Sequence, residues 1–161
     1  MTELEAVRLV VFDFDGVFTD NRVWTNERGE ESVACWRGDA QGLRRLEEVG
    51  VDCFILSTET NPAVGARARK IRAECIQGVA DKLSVLRAEV ERRGVSLAET
   101  AYLGNDVNDA ACLEAVGLAV VPADAWPEVV PLASLVLERE GGRGCVRELC
   151  DAIWHAKRGA A

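Results

Sequence analysis

Two aspartates separated by a single residue, Asp13 and Asp15, close the apolar run that begins "VVF" at residue 10. In extended backbone alternate side chains share a side, so both carboxylates can reach one point. There they repel, and each raises the other's pKa unless a cation sits between them. A hard divalent ion such as Mg2+, which takes oxygen ligands and keeps several waters, resolves the conflict. Three more stretches place polar chemistry just beyond apolar runs: Ser57, Thr58 and Glu59; Lys82; and "YLGNDVND", which carries Asn105, Asp106 and Asp109. A hydroxyl, backbone amides and a mobile ammonium suit phosphoryl oxygens. Amide and carboxylate oxygens suit further metal ligands or their support. Singly each has an ordinary reading, since a serine after a strand caps, a lysine at a helix start is solvated, and Asn108 or Asp109 can cap a following helix.

The elements between these stretches argue that they meet. Residues 8–14 form a nearly continuous β-branched and aromatic run, as in a strand covered on both faces. "RVWTNERGEESVACW" reads as a β-hairpin around Asn-Glu-Arg-Gly, and "DAQGLRRLEEV" as a helix capped by Asp39 and stopped by Gly50. Strands at 51–57, 74–78, 100–104, 118–121 and 134–137 then alternate with helices at 62–71, 81–94, 109–117, around "DAWPEVV", and 145–157, with "KRGAA" read as a frayed end. This alternation predicts an α/β fold: a parallel sheet with right-handed crossovers and helices on both faces, in one domain over 1–161. Ligands of such sheets bind at the carboxyl ends of the strands, where all four polar stretches fall.

Composition narrows the chemistry. With 19 basic and 27 acidic residues the formal charge is -8, which repels a nucleic-acid backbone. An anionic substrate must therefore be met by local positive charge or a metal. There is no apolar run long enough to span a bilayer and the N-terminus has no leader pattern, so the reading is a cytoplasmic protein with no membrane partner. Six cysteines form no C-x-x-C and read as small buried hydrophobes. The one histidine, His155, lies far from the polar stretches and reads as a helix-surface residue.

"DFDGVFTD", "LST", "DK" and "GNDVND" resemble the four motifs of the haloacid dehalogenase (HAD) superfamily of phosphotransferases. The likeness, from Arg8 to about His155, is to its small branch of 3-deoxy-octulosonate and nonulosonate phosphatases, which also includes the C-terminal domain of animal CMP-N-acylneuraminate synthetases. The resemblance implies a three-layer α/β/α Rossmann-like core, a β-hairpin after the first strand and no cap domain. It implies Asp13 as nucleophile, Asp15 as acid and then base, Ser57 and Lys82 on the transferring group, and Mg2+ held by Asp13, the Asp15 carbonyl and the fourth motif at Asn105 or Asp106. Octulosonate 8-phosphate phosphatases typically carry Gly-Arg after the second-motif Thr, where this chain has Thr58-Glu59. Glu59 with Arg67 and Lys70 is similar to the pattern of enzymes acting on nine-carbon 2-keto-3-deoxy sugar acid 9-phosphates, in which the two cations help bind the substrate. The implied substrate is therefore such a nonulosonate phosphate, with the octulosonate as alternative.

Members of this branch form tetramers through their hairpins, and Val23, Trp24, Val33 and Trp36 here offer apolar area for a homotetramer. The Gly141-Gly142-Arg143-Gly144 segment is then the piece expected to reach a neighbouring site. One departure stands out: the usual Gly-Asp-Asp of the fourth motif is Gly104-Asn105-Asp106, a neutral amide where the principal acidic ligand belongs. The synthetase domains, regarded as oligomerisation modules without phosphatase activity, also read Gly-Asn there, but they have lost the first-motif nucleophile. Retention of Asp13 and Asp15 favours an enzyme over an assembly or regulatory module that accompanies a cytidylyltransferase.

Overall fold

The computed structural model describes residues 1–159. A six-stranded sheet forms its middle layer, in the order β5-β4-β1-β6-β7-β8: Glu74–Ile76, Asp52–Leu56, Leu9–Phe12, Thr100–Leu103, Leu118–Val121 and Leu135–Val136. Every neighbouring pair is parallel. From β1 the chain winds outward through β4 and β5, then returns to the other side of β1 and winds outward through β6, β7 and β8. The winding reverses beside β1, and the carboxyl ends of β1, β4 and β6 open onto one crevice.

Strand alternation explains the two cores. Val10 and Phe12 face one side of the sheet with Ile55, Leu103 and Val120, against Leu43 and Leu46 and against Val146, Leu149 and Ile153. These come from α2 (Asp39–Glu48) and α6 (Cys145–Gly159), joined there by Val64 and Ala68 of α3 (Pro62–Ile71). Leu9 and Val11 face the other side with Phe54, Tyr102 and Val121, under Leu86 and Val90 of α4 (Lys82–Arg92) and Leu113 of α5 (Ala110–Ala115). A buried Phe or Leu is stabilised by about 1.5–3 kcal/mol through removal from water, so neither layer can peel away cheaply.

Several elements differ from the sequence reading. A short helix α1 (Glu3–Ala6), capped by Thr2, precedes the sheet and was not foreseen. Asp39 is the first residue of α2 and not its cap, and it is buried. The hairpin holds only two pairs, Trp24–Thr25 (β2) with Glu31–Ser32 (β3), closed at its base by a bridge between Thr19 and Cys35. "DAWPEVV" is turns, and the only helical geometry nearby is a 3-10 turn at Val130–Leu132, displaced because Pro127 and Pro131 interrupt the backbone donors of a longer helix. The end read as frayed is helical through Gly159, held by Lys157 Nζ donating to the Glu5 carbonyl, while 160 and 161 lie outside the described residues. All six cysteines are free; Cys112, Cys145 and Cys150 are buried as expected, and Cys35, Cys53 and Cys75 are half-buried. Among the described residues no helix is long and apolar enough to cross a membrane.

Candidate active site

Each strand that feeds the crevice keeps one more ladder hydrogen bond after its last residue, and then the chain turns away. The Asp13 amide donates to the Leu103 carbonyl, Ser57 to Ile76 and Gly104 to Val120, at 2.9–3.1 Å. The first polar residue after β1 and β4 is thus held as rigidly as the strand itself. After Asp13 the chain makes a tight helical turn, with Phe18 donating to the Phe14 carbonyl and Gly16 at φ +80°. A side chain at Gly16 would collide with Asn105, so both the left-handed backbone and the close approach require glycine here.

A buried charge cluster lies at the bottom. Lys82, first residue of α4, donates from Nζ to Asp13 Oδ1 at 2.7 Å and to Asp109 Oδ1 at 2.8 Å. The solvated reading of this lysine fails, because it is 3 % exposed. The same Asp109 oxygen accepts the Tyr102 hydroxyl at 2.6 Å, and its Oδ2 accepts the backbone amides of Asn105 and Asp106. Burial alone would lower the Lys82 pKa, but the Asp13 and Asp109 carboxylates more than offset it and hold the ammonium. Burial and the Asp109 charge push Asp13 upward against the pull of Lys82. Asp15 is also pushed up, first by burial and then by the charge of Glu59, with Glu31 adding a smaller push.

Above the cluster, oxygens converge. The terminal amide atom of Asn105 that faces the first motif lies 2.9 Å from the Asp15 carbonyl oxygen and 3.1 Å from Asp13 Oδ2. With nitrogen there, the amide donates to both. With oxygen there, it stands from each of the other two oxygens at the spacing of adjacent ligands around an octahedral ion, about 3.0 Å for metal–oxygen bonds of about 2.1 Å. The donor set, all oxygen and only one of it charged, fits Mg2+. It contains a single carboxylate, which is why no group of three His, Cys, Asp or Glu side chains poised for a metal occurs among the described residues. Asp106 turns its carboxylate to the Val107 amide and caps the following turn, and Asp109 is fully engaged with Lys82, Tyr102 and the loop amides.

A small cavity of about 80 Å³ sits over these groups, lined by Asp13, Asp15, Asn21, Ser57, Thr58, Asn105, Asp106 and Asn108. The first, second and fourth motifs therefore share one polar pocket, with Lys82 beneath it through Asp13. Ser57 Oγ accepts the Glu59 amide at 3.1 Å, which leaves its proton free to donate. Glu59 folds back to accept the amides of Thr60 and Asn61.

Two predicted substrate residues are not brought to this pocket. Arg67 sits against the hairpin's end, where Nη2 donates to the Trp36 carbonyl at 3.1 Å. Lys70, one turn on, lines a depression with Asp52, Cys53 and Glu74, which begin β4 and β5 at the opposite edge of the sheet. The Gly141–Gly144 segment packs on its own chain: Gly142 donates to the Val17 carbonyl, and a side chain at Gly141 would strike the Gly16 carbonyl. It braces the first-motif loop of its own chain. Tyr102 went unnoticed in the sequence. A tyrosine in an otherwise apolar, fully covered strand needs a partner for its hydroxyl, and that requirement was the available signal.

No family model matches the chain. The 3-deoxy-D-manno-octulosonate 8-phosphate phosphatase KdsC of Salmonella typhi is 32% identical over 161 residues, covering 95% of this chain and 82% of the relative. Among solved structures, a protein from Streptomyces avermitilis assigned to the HAD hydrolases superposes with a TM-score of 0.90 at 39% identity, over 94% of this chain and 87% of that one. The 3-deoxy-D-manno-octulosonate 8-phosphate phosphatase of Moraxella catarrhalis, solved with magnesium, phosphate and KDO, has a TM-score of 0.92 at 26% identity, over 98% and 92% of the two chains.

Proposed function

The chain belongs to the HAD superfamily, in the capless branch of 3-deoxy-octulosonate 8-phosphate phosphatase relatives, and from that premise we propose that it is a Mg2+-dependent phosphatase of a 2-keto-3-deoxy sugar acid phosphate. The observation that carries the reading is the buried Lys82 shared between Asp13 and Asp109 beside the Asp13, Asp15 and Asn105 oxygens. A domain kept only for assembly would gain nothing from burying two carboxylates on one ammonium, an arrangement that desolvation makes expensive.

In the proposed reaction Asp13 Oδ1, positioned by Lys82, attacks phosphorus and displaces the sugar oxygen, forming an aspartyl-phosphate. Asp15 gives the leaving oxygen its proton, and the upward push on its pKa by burial and the Glu59 charge favours the protonated form that this task needs. It then takes a proton from the water that hydrolyses the acyl phosphate. Ser57 Oγ and Lys82 hold phosphoryl oxygens. Asp13 Oδ2, the Asp15 carbonyl and Asn105 would hold Mg2+, which when bound neutralises phosphoryl charge; Asp106 remains at the pocket rim.

The nine-carbon reading keeps Thr58 and Glu59 beside the pocket but has lost Arg67 and Lys70 within one chain, so the octulosonate 8-phosphate named for the relatives is the stronger substrate. A homotetramer is supported by Val23 and Trp24 on the hairpin, 51% and 75% exposed, and by Trp36 at its end. No nucleic-acid or membrane partner is invoked, and the site of action is proposed as the cytoplasm. The test is phosphate release with Mg2+ from octulosonate 8-phosphate and nonulosonate 9-phosphate, with Asp13→Asn as control. Release abolished in the variant is expected; no release above the variant with either acid would overturn the reading.

A further inference from the structure

The small polar cavity opens past Asp15 and Asn21 into a second cavity of about 210 Å³, lined by Phe14, Val23, Glu31, Glu59, Asn61 and Val64 among others. Glu31, Glu59 and Asn61 also line a wider groove of about 530 Å³ that continues outward. The first cavity has the size of a phosphoryl group, and Asp15 stands between the two. A leaving group protonated by Asp15 must therefore occupy the second cavity. Its polar lining is carboxylate and amide, and no lysine or arginine lines it or the groove. The nearest candidate cations are turned elsewhere, Arg67 to the Trp36 carbonyl and Lys70 to the far edge of the sheet.

Resting on the phosphatase reading, we propose that Glu31, on the hairpin, sets substrate choice together with Glu59 by accepting hydroxyl or ammonium hydrogens next to the phosphoester and by excluding a second anion there. Glu31 is held toward the crevice by Asn61, whose Nδ2 donates to Oε2 at 3.3 Å, while Glu59 spends Oε1 on the Thr60 and Asn61 amides. Both carboxylates line the cavity and keep acceptor capacity that these bonds do not use. A polyhydroxylated carbon next to the ester supplies the donors they lack, whereas a carboxylate there would meet two like charges with no compensating cation among this chain's lining residues. A sugar acid is admitted only with its carboxylate at the end remote from the phosphate.

Glycerol 3-phosphate and 3-phosphoglycerate test this directly, because they differ only in a hydroxymethyl against a carboxylate; 2-aminoethyl phosphate adds an ammonium. With Mg2+, kcat/KM for glycerol 3-phosphate should exceed that for 3-phosphoglycerate by about tenfold or more. Glu31→Gln, which keeps one acceptor oxygen but removes the charge, should shrink that ratio several-fold chiefly by raising kcat/KM for 3-phosphoglycerate, and Glu31→Arg should bring 3-phosphoglycerate level or ahead. An unchanged ratio in both variants overturns the proposal. Thermal-shift binding of the same three esters to Asp13→Asn protein reads the discrimination without chemistry: turnover absent with binding still selective would sink the phosphatase reading alone, and binding indifferent to the carboxylate would sink the assignment of Glu31.

Discussion

Two aspartates buried in this chain meet different fates. Asp13 is 4 % exposed and Asp39 1 % exposed, and both are pushed upward chiefly by burial. Around Asp13 every strong donor and acceptor is matched: the ammonium of Lys82, the second carboxylate of Asp109, the Tyr102 hydroxyl and the Asn105 amide close a network. Asp39 receives only the Arg147 amide, at 3.3 Å on Oδ1, while its Oδ2 and the nearby Arg67 Nε find no partner. Burial lifts Asp39 to about 7 although the Arg147 amide and the Arg67 and Arg147 charges pull it down. A satisfied buried network positions chemistry; a half-satisfied one is a standing cost.

Breaking the matched network should have the largest effect. Lys82→Met leaves two carboxylates buried together without a counter-charge and should cost about 3–5 kcal/mol of stability as well as activity. Denaturant unfolding at pH 7 measures it, and a loss below about 1 kcal/mol would show that the cluster is not ionised as described.

Asp39 sharpens the contrast in the opposite direction. The unfolded chain ionises this carboxyl near 3.8, whereas the folded protein holds the proton until about 7. Stability therefore falls as pH rises from about 4 to about 7 and stays flat above, by up to about 4 kcal/mol from this group. Asp39→Asn should raise the melting temperature at pH 8, leave it nearly unchanged at pH 4, and flatten the slope between. Equal shifts at both pH values would refute the account.

Asn105 joins the matched region as a neutral amide, at the place where the fourth-motif resemblance leads one to expect an acid. Asn105→Asp should tighten Mg2+ binding by about tenfold, read as Mg2+-dependent thermal stabilisation, and should lower metal-free stability by adding a carboxylate beside Asp13 Oδ2. Unaltered Mg2+ dependence would remove Asn105 from the ligand set. The smallest effect belongs to Lys70→Ala, which sits at the other edge of the sheet and should leave kcat/KM within about twofold. A large loss, in a protein still folded, would mean that Lys70 serves the site of a neighbouring subunit.

Asp13, Asp15, Ser57, Thr58 and Asn105 were legible because a parallel strand ends in a predictable place, and the residue after an apolar run must stand at the crevice. Lys82 was legible by position but not by state, since a lysine opening a helix gives no local sign that two carboxylates will enclose it. Arg67 and Lys70 show the converse. Three residues apart on α3, they share a helix face by periodicity, yet one lies at the hairpin's end and the other over the amino ends of β4 and β5.

What the sequence alone determined is therefore local: the alternation that buries β1, β4, β6 and β7 on both faces, the helix starts, and the strand ends where polar residues gather. Hydrophobic periodicity repeats every two or 3.6 residues and encodes which way a side chain faces. The tertiary structure alone decided which charges meet. Lys82 finds Asp13 across 69 residues and Asp109 across 27, and Glu31 faces Asn61 across 30. Such pairings depend on which strands become neighbours and how far each helix runs before it turns back, and no local pattern specifies either.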